Sequence, residues 1–193
     1  MATTAYFCSA QFIKNNTPID ENVDEKYLMI AIKEAQEKEI RRYCGTALYN
    51  ELVTQVAAST LTALNTTLLT DYIRPCLKYW TIYEAAPFLK FKFTNKNVVT
   101  KNSDNSSNVD MKEFEKVMKF IEQNARYYGK MLTYYLIQNM TSYPLYSQPG
   151  TGIDTIFPDV EPFDSDIYLG NRNNPSLITP KQYYNDSYED WKG

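Results

Sequence analysis

The most strongly periodic stretch of the chain is residues 110–139, DMKEFEKVMKFIEQNARYYGKMLTYYLIQN. Its large apolar residues recur at alternating intervals of four and three, which places them on one face of an α-helix. They are Phe114, Met118, Ile121, Ala125, Tyr128, Leu132 and Tyr135. Asp110 and Glu113 have the spacing of a helix N-cap pair. The stretch predicts one helix of about 30 residues, about 45 Å long, that either spans the body as a strut or projects into a neighbouring subunit.

Three shorter helices are predicted before it from the same periodicity. They span about residues 23–44, 47–58 and 66–86. The first ends on Arg41 and Arg42 and is followed by Gly45, an order that suits the helix dipole and a C-terminal cap. In the third, Pro75 predicts a kink or a restart of the helix near Arg74, and Pro87 is expected to end it.

Between the third helix and the long helix, the period changes to two. Leu89, Phe91 and Phe93 alternate with polar residues, residues 95–97 supply a turn, and residues 98–100 supply a return strand. The pattern predicts an inserted β-hairpin over about residues 88–100. Its positive charge is clustered on Lys90, Lys92, Lys96 and Lys101. These lysines either contact nucleic-acid phosphates or a partner protein, or are only solvated.

Residues 143–193 differ in composition from everything before them, since they hold six of the nine prolines. Prolines at that density exclude a long helix and a central strand, whereas the many aromatic residues disfavour lasting disorder. We predict a helical body over residues 1–146 and an extended interaction arm over 147–193, with its rings buried on its own domain or on a neighbouring subunit. The expected anchors are Phe157, Phe163, Tyr168, Tyr183, Tyr184 and Trp191.

The formal charge of −3 is unevenly distributed. Residues 143–193 carry eight acids and three bases, a net charge of −5, so the remainder carries +2. The arm therefore either lies on a mildly basic surface or exposes solvated charge.

The chain contains few groups of the kind that catalysis uses. It has no histidine and no glycine-rich phosphate-binding motif, so neither an enzyme nor a bound cofactor is predicted. Asp164 and Asp166, with Asp159 and Glu161 nearby, suggest a divalent cation, but the EF-hand spacing is missing and we interpret them as solvated acids, not as a metal site. Cysteines 8, 44 and 76 lack a metal-site or disulfide spacing and are expected to be reduced, buried thiols of a cytosolic protein. No apolar run is long enough to span a membrane.

Several short sequence motifs follow one another in a suggestive order along residues 7–146. They are Phe12-Ile13, Arg42-Tyr43-Cys44-Gly45, Leu48-Tyr49-x-x-Leu52, Ile73-Arg74-Pro75 with Tyr79, Ala86-Pro87-Phe88-Leu89, and Tyr143-Pro144-Leu145-Tyr146. This order resembles the head-tail connector proteins of tailed bacteriophages, particularly the ring proteins of phages related to crAssphage. The long acidic, aromatic arm departs from that pattern.

The resemblance implies a small helical bundle with a hairpin, of which twelve copies form a ring below the portal around a DNA passage. It implies contacts with the portal protein and with the tail or further ring proteins, non-specific contact of the hairpin lysines with genomic DNA, and no membrane. The expected location is the head-tail junction of the virion, after assembly in the cytoplasm of the host bacterium.

The expected fold is mainly α: a small helical bundle with one long C-terminal helix and an inserted β-hairpin, followed by an extended C-terminal arm. Two functions stay open. The first is the structural connector subunit just described. The second is a soluble ligand-binding or enzymatic bundle in which Tyr79, Trp80 and Tyr83 form an aromatic pocket.

Overall fold

The computed structural model describes residues 5–93, 98–100 and 111–159, and this part of the chain is mainly helical, as predicted. Its α-helices are α1 (Ala10–Asn16), α2 (Glu25–Ala35), α3 (Arg41–Cys44), α4 (Thr46–Ala58), α5 (Ala63–Thr67), α6 (Arg74–Lys90), α7 (Met111–Gln138) and α8 (Pro144–Ser147). Two π-helical turns interrupt the sequence of α-helices: Gln36–Ile40 joins α2 to α3, and Leu68–Ile73 joins α5 to α6. The short helices α1 and α8 were not anticipated. None of the described helices has both the length and the hydropathy needed to cross a membrane.

Helix α6 lies between α2 and α7 and packs along both. Because it is covered on two sides, its buried residues do not form one stripe; they include Cys76, Leu77, Trp80, Thr81 and Ala85. The predicted long helix is confirmed as α7, which is 28 residues long. Tyr72 stacks on Tyr135 and Tyr79 stacks on Tyr128, with ring centroids 3.9 and 5.3 Å apart, so α6 and α7 run antiparallel. Helix α7 is therefore a strut along the body.

The first predicted helix is continuous from α2 to α3 but contains a π-helical turn at Gln36–Ile40. This turn directs the side chain of Gln36 into the core, where it is 4% exposed. Its Oε1 accepts a hydrogen bond from the Phe7 backbone N–H at 2.9 Å, and its Nε2 donates to the Ala5 carbonyl at 3.0 Å. Nε2 also donates to the Tyr49 hydroxyl at 3.2 Å. One buried amide thus pins the N-terminal segment to the bundle.

Near Arg74, where a kink or a restart was expected, the chain stays helical: α5 passes through the π-helical turn Leu68–Ile73 directly into α6, and Pro75 stands just after that turn. Proline has no backbone N–H to donate, and here it stands where the π-helical turn has already interrupted the regular α-helical hydrogen bonds.

The expected end at Pro87 is wrong, since α6 continues through it to Lys90. Proline φ is compatible with a helix, and the cost of Pro87, its missing N–H and the crowding of its ring against the preceding turn, does not end α6. Residues 88–90 are therefore helical, not the start of a strand as predicted. Beyond them, Phe91–Phe93 (β1) pairs antiparallel with Val98–Thr100 (β2), with Phe91 opposite Thr100 and Phe93 opposite Val98. The predicted turn at residues 95–97 and the N-cap residue Asp110 lie outside the described residues.

After α7 the chain returns to the body. Tyr143 and Tyr146 are buried, and the Tyr143 hydroxyl donates to the Leu64 carbonyl at 3.0 Å. Further along, Ile156 pairs with Thr46 through two hydrogen bonds: Thr46 N–H to the Ile156 carbonyl at 3.0 Å and Ile156 N–H to the Thr46 hydroxyl at 2.8 Å. The Asp159 N–H donates to the Arg42 carbonyl at 3.0 Å. Residues 154–159 thus bind the junction of α3 and α4 in the same chain.

Gly129 marks the place where α7 meets α3. A Cβ built on Gly129 would overlap the end of the Tyr43 ring and lie 2.9 Å from its Cε1. The group that occupies the space at Gly129 is thus a side chain, not another backbone.

We expect Gly129→Ala to lower the free energy of unfolding by up to about 2 kcal/mol. Alanine favours a helix by about 1 kcal/mol over glycine, but overpacking against a buried ring costs about 1–3 kcal/mol. Chemical denaturation measures the change. Gln123→Ala, at an exposed position of α7, is the control and should stay within about 0.5 kcal/mol of the wild type. Adding Tyr43→Phe should recover part of the loss; an unchanged stability of Gly129→Ala would refute this packing.

We expect Gln36→Leu to lower the free energy of unfolding by about 1–3 kcal/mol, because it leaves the Phe7 N–H and the Ala5 carbonyl buried without partners. Limited proteolysis should then cut within residues 5–16 faster than in the wild type. Gln123→Leu is the matched exposed control. If the N-terminal segment resists cleavage as before, Gln36 does not hold it.

Candidate interaction surfaces of the helical body

A second apolar stripe on α7 faces away from α6. Val117, Phe120, Tyr127, Met131 and Tyr134 are 52, 65, 59, 41 and 37% exposed. Their spacing of three, seven, four and three places each one position before a residue of the periodic apolar face that runs from Phe114 to Tyr135, about 100° around the helix. We call these five residues the outer stripe. Asn124 interrupts the outer stripe, and its side-chain amide donates a hydrogen bond to the Phe120 carbonyl of the same helix.

Basic residues flank the outer stripe on its solvent side. We call Lys112, Lys116, Lys119, Arg126 and Lys130, all exposed, the basic ridge. Arg126 pairs with Glu122 at 2.9 Å, and within the described residues no ion pair is seen for the four lysines. Helix α7 also carries Glu113, Glu115 and Glu122, so its net charge is +2. It presents three surfaces: a core face, an apolar outer stripe and a cationic ridge.

The three aromatic residues of the predicted pocket make ring contacts within the helical body. Tyr79 stacks on Tyr128 of α7, and the ammonium group of Lys78 lies 5.1 Å from the Tyr79 ring centre. Trp80 is buried in the core and meets Tyr83 edge-on with ring centroids 5.6 Å apart. Tyr79 and Trp80 thus contribute to helix packing.

An open groove lies instead beside the N-terminal segment and has a volume of about 590 Å³. Phe7, Cys8, Phe12, Met29 and Arg74 contribute to its walls. The Arg74 guanidinium is already engaged: its Nε donates to the Phe7 carbonyl at 2.9 Å, and its centre lies 5.7 Å from the Phe12 ring. Sequence reasoning missed this groove, because its walls come from segments about 65 residues apart.

The three cysteines are buried and free, which confirms the expected burial. Burial raises the pKa of Cys8 and of Cys44 to about 12, and it also raises the pKa of Cys76. At Cys8, the nearby Arg74 charge opposes this shift without cancelling it. A thiol is a nucleophile only as the thiolate, so these groups are inert near neutral pH.

Few of the residues predicted as contact sites lie within the described structure. The Lys90 ammonium lies 4.2 Å from the centre of the Phe114 ring, at the start of α7. Phe157 is 49% exposed. For Lys92 only the backbone is described. The other predicted contact residues lie outside the described residues: Lys96, Lys101, Phe163, Tyr168, Tyr183, Tyr184 and Trp191.

The acidic residues that suggested a divalent cation are also only partly described. Asp159 pairs with Arg42 at 3.8 Å, whereas Glu161, Asp164 and Asp166 lie outside the described structure. Within residues 5–93, 98–100 and 111–159, no group of three histidine, cysteine or acidic side chains is placed to hold a metal ion.

A protein-family model matches residues 40–156, more than half of the chain. The chain belongs to the family of unknown function DUF6712. The matched region begins at the π-helical turn before α3 and ends at Ile156, which is hydrogen-bonded to Thr46. Both ends of the DUF6712 region therefore lie at the α3–α4 junction, and α6 and α7 fall inside it. No curated protein and no solved structure matches the chain.

We expect none of the three thiols to react with Ellman's reagent at pH 8 in the folded protein, and all three to react in denaturant. The pKa of the buried Cys44 thiol lies above the ordinary value of 9.0, so the folded state disfavours the thiolate. The free energy of unfolding is therefore unaffected by this thiol below about pH 9 and falls as the pH rises towards 12. Each thiol then lowers the free energy of unfolding by up to about 1.4 kcal/mol per pH unit. Denaturation curves from pH 8 to 11 measure the slope, and Cys44→Ala should make it shallower. Rapid labelling of the folded chain would contradict this burial.

Proposed function

We propose that this chain is a structural virion protein: a head-tail connector subunit that forms an oligomeric ring between portal and tail around the DNA channel. In this proposal twelve copies form the ring, the portal and the tail or further ring proteins are its partners, and no catalysis, cofactor or membrane is involved. The ring is assembled in the cytoplasm of the host bacterium and resides at the head-tail junction.

The outer stripe of α7 carries the proposal. Single apolar residues are common on protein surfaces, but contiguous apolar patches mark sites of association. Here five large side chains align over about 26 Å of one helix at 1.5 Å per residue. They are left uncovered by the described part of the body. A subunit that packs side by side with others needs such a surface.

The order of the elements adds support from the sequence. The sequence motifs that resemble the ring proteins run from Phe12 to Tyr146, and the DUF6712 match covers residues 40–156 of the same region. DUF6712 itself carries no assigned function, so the connector role rests on the resemblance and on the surface of α7.

Two further parts of the chain have roles in the proposal. The predicted hairpin between α6 and α7, with Lys92 and Lys96, faces the channel or the portal together with Lys90 at the end of α6 and Lys101 after the hairpin, where cations can lie near DNA phosphates. The arm, residues 147–193, contacts neighbouring subunits through its aromatic anchors. The alternative, a ligand-binding or enzymatic bundle, loses its proposed pocket because Tyr79 packs between helices and Trp80 is buried in the core.

We expect the purified full-length chain, mixed with the portal protein of the same phage, to form a particle of many copies by native mass spectrometry. Phe120→Glu with Met131→Glu should abolish this particle, because it places charges on the outer stripe. Ile30→Glu is the control: Ile30 is 50% exposed on α2, outside that stripe. All variants should keep the helical circular dichroism of the wild type. A chain that stays at 22.4 kDa in every mixture with virion components would contradict the connector role.

A further inference from the structure

We propose that the outer stripe and the basic ridge of α7 form a docking site for residues 160–193 of a second copy of this chain. The inference rests on the proposed function, since it names the surface and the segment through which neighbouring ring subunits are joined.

Charge favours this occupant over others. Residues 160–193 contain six acids and three bases, a net charge of −3, whereas α7 carries +2 with its lysines and Arg126 on the solvent side. Opposite charges attract across an interface and steer association. If the outer stripes of two copies packed on each other instead, the basic ridges would be brought together, and like charges disfavour that arrangement.

The apolar content of the segment matches the outer stripe. Large side chains recur along residues 160–193: Phe163, Ile167, Tyr168, Leu169, Tyr183, Tyr184, Tyr188 and Trp191. The outer stripe is itself rich in aromatic groups, with Phe120, Tyr127 and Tyr134, and aromatic pairs add to simple burial. An acidic segment that contains large rings is thus complementary to both parts of this face of α7.

The length of the segment and the place where it begins also fit. Asp159 is held to Arg42 by a backbone hydrogen bond of 3.0 Å and an ion pair of 3.8 Å. The following 34 residues (160–193) can extend up to about 110 Å at 3.3 Å per residue. That reach exceeds the roughly 26 Å length of the outer stripe about fourfold, so the segment is long enough to extend from its own body and run the length of the stripe on a second copy.

Zero-length carbodiimide cross-linking tests the pairing in the full-length chain. Unlabelled and ¹⁵N-labelled chains are mixed, assembled with the portal protein and cross-linked, so that links between copies carry both isotopes. We expect mixed-isotope links that join Lys119 or Lys130 to acids of residues 161–190. Links confined to one isotope would overturn the assignment to a second copy, and links from these lysines only to portal protein would overturn the choice of occupant.

Charge reversal gives a second readout. Lys119→Glu with Lys130→Glu should raise the concentration needed for assembly about tenfold or more, equivalent to about 1.4 kcal/mol, and should remove the mixed-isotope links. Oxidation of Met131 by hydroxyl radicals should slow on assembly of the wild type but not of this variant. The control, Lys26→Glu with Lys33→Glu on the exposed side of α2, reverses the same number of charges and should behave as the wild type. Unchanged assembly of the α7 variant would refute the docking site.

The two proposals fail differently. If the ring forms on the portal but the mixed-isotope links are absent, the docking site is wrong and the connector role stands. If copies join through these links yet never bind the portal, the docking site stands and the connector role is wrong.

Discussion

The burial of α6 on two opposite sides is the constraint on which the rest of this body depends. Helix α2 covers one side and α7 covers the other, so α6 supplies apolar residues in more than one direction. The antiparallel tyrosine pairs Tyr72–Tyr135 and Tyr79–Tyr128 set the register between α6 and α7. Helix α6 is thus the main packing partner of both neighbours, and α7 keeps the outer stripe exposed.

Two π-helical turns adapt the outer elements to this core. The first directs Gln36 inward, where its amide satisfies the backbone of the N-terminal segment. The second ends at Arg74, whose N–H donates to the Leu69 carbonyl, and Pro75, which has no N–H to donate, follows it. A π-helical turn shifts the following residues around the helix axis, so each turn also changes which side chains face the core. Residues 154–159 bind the junction of α3 and α4, so the two ends of the DUF6712 region lie next to each other.

The surface that results is suited to association. Helix α7 packs one apolar face on α6 and exposes the outer stripe and the basic ridge to solvent. The chain leaves the described body at Asp159, on Arg42, and continues into an acidic and aromatic segment. In the connector and docking proposals these features act together: the stripe supplies apolar area, the ridge supplies charge, and the segment of a neighbour supplies their complement.

The sequence by itself determined the mainly helical class, the length of α7, the apolar face that α7 turns to the core from Ala125 to Tyr135, a departure from regular α-helix before Pro75, and the burial of the cysteines. These follow from local periodicity and from the covalent geometry of proline, which act within a few residues. It misplaced the end of α6, because Pro87 is compatible with a continuing helix. Only the tertiary structure decided that Gln36 is a core residue, that Gly129 makes room for Tyr43, and that the outer stripe stays uncovered. Such outcomes depend on which distant segments come into contact, and periodicity along one helix does not encode what packs against it.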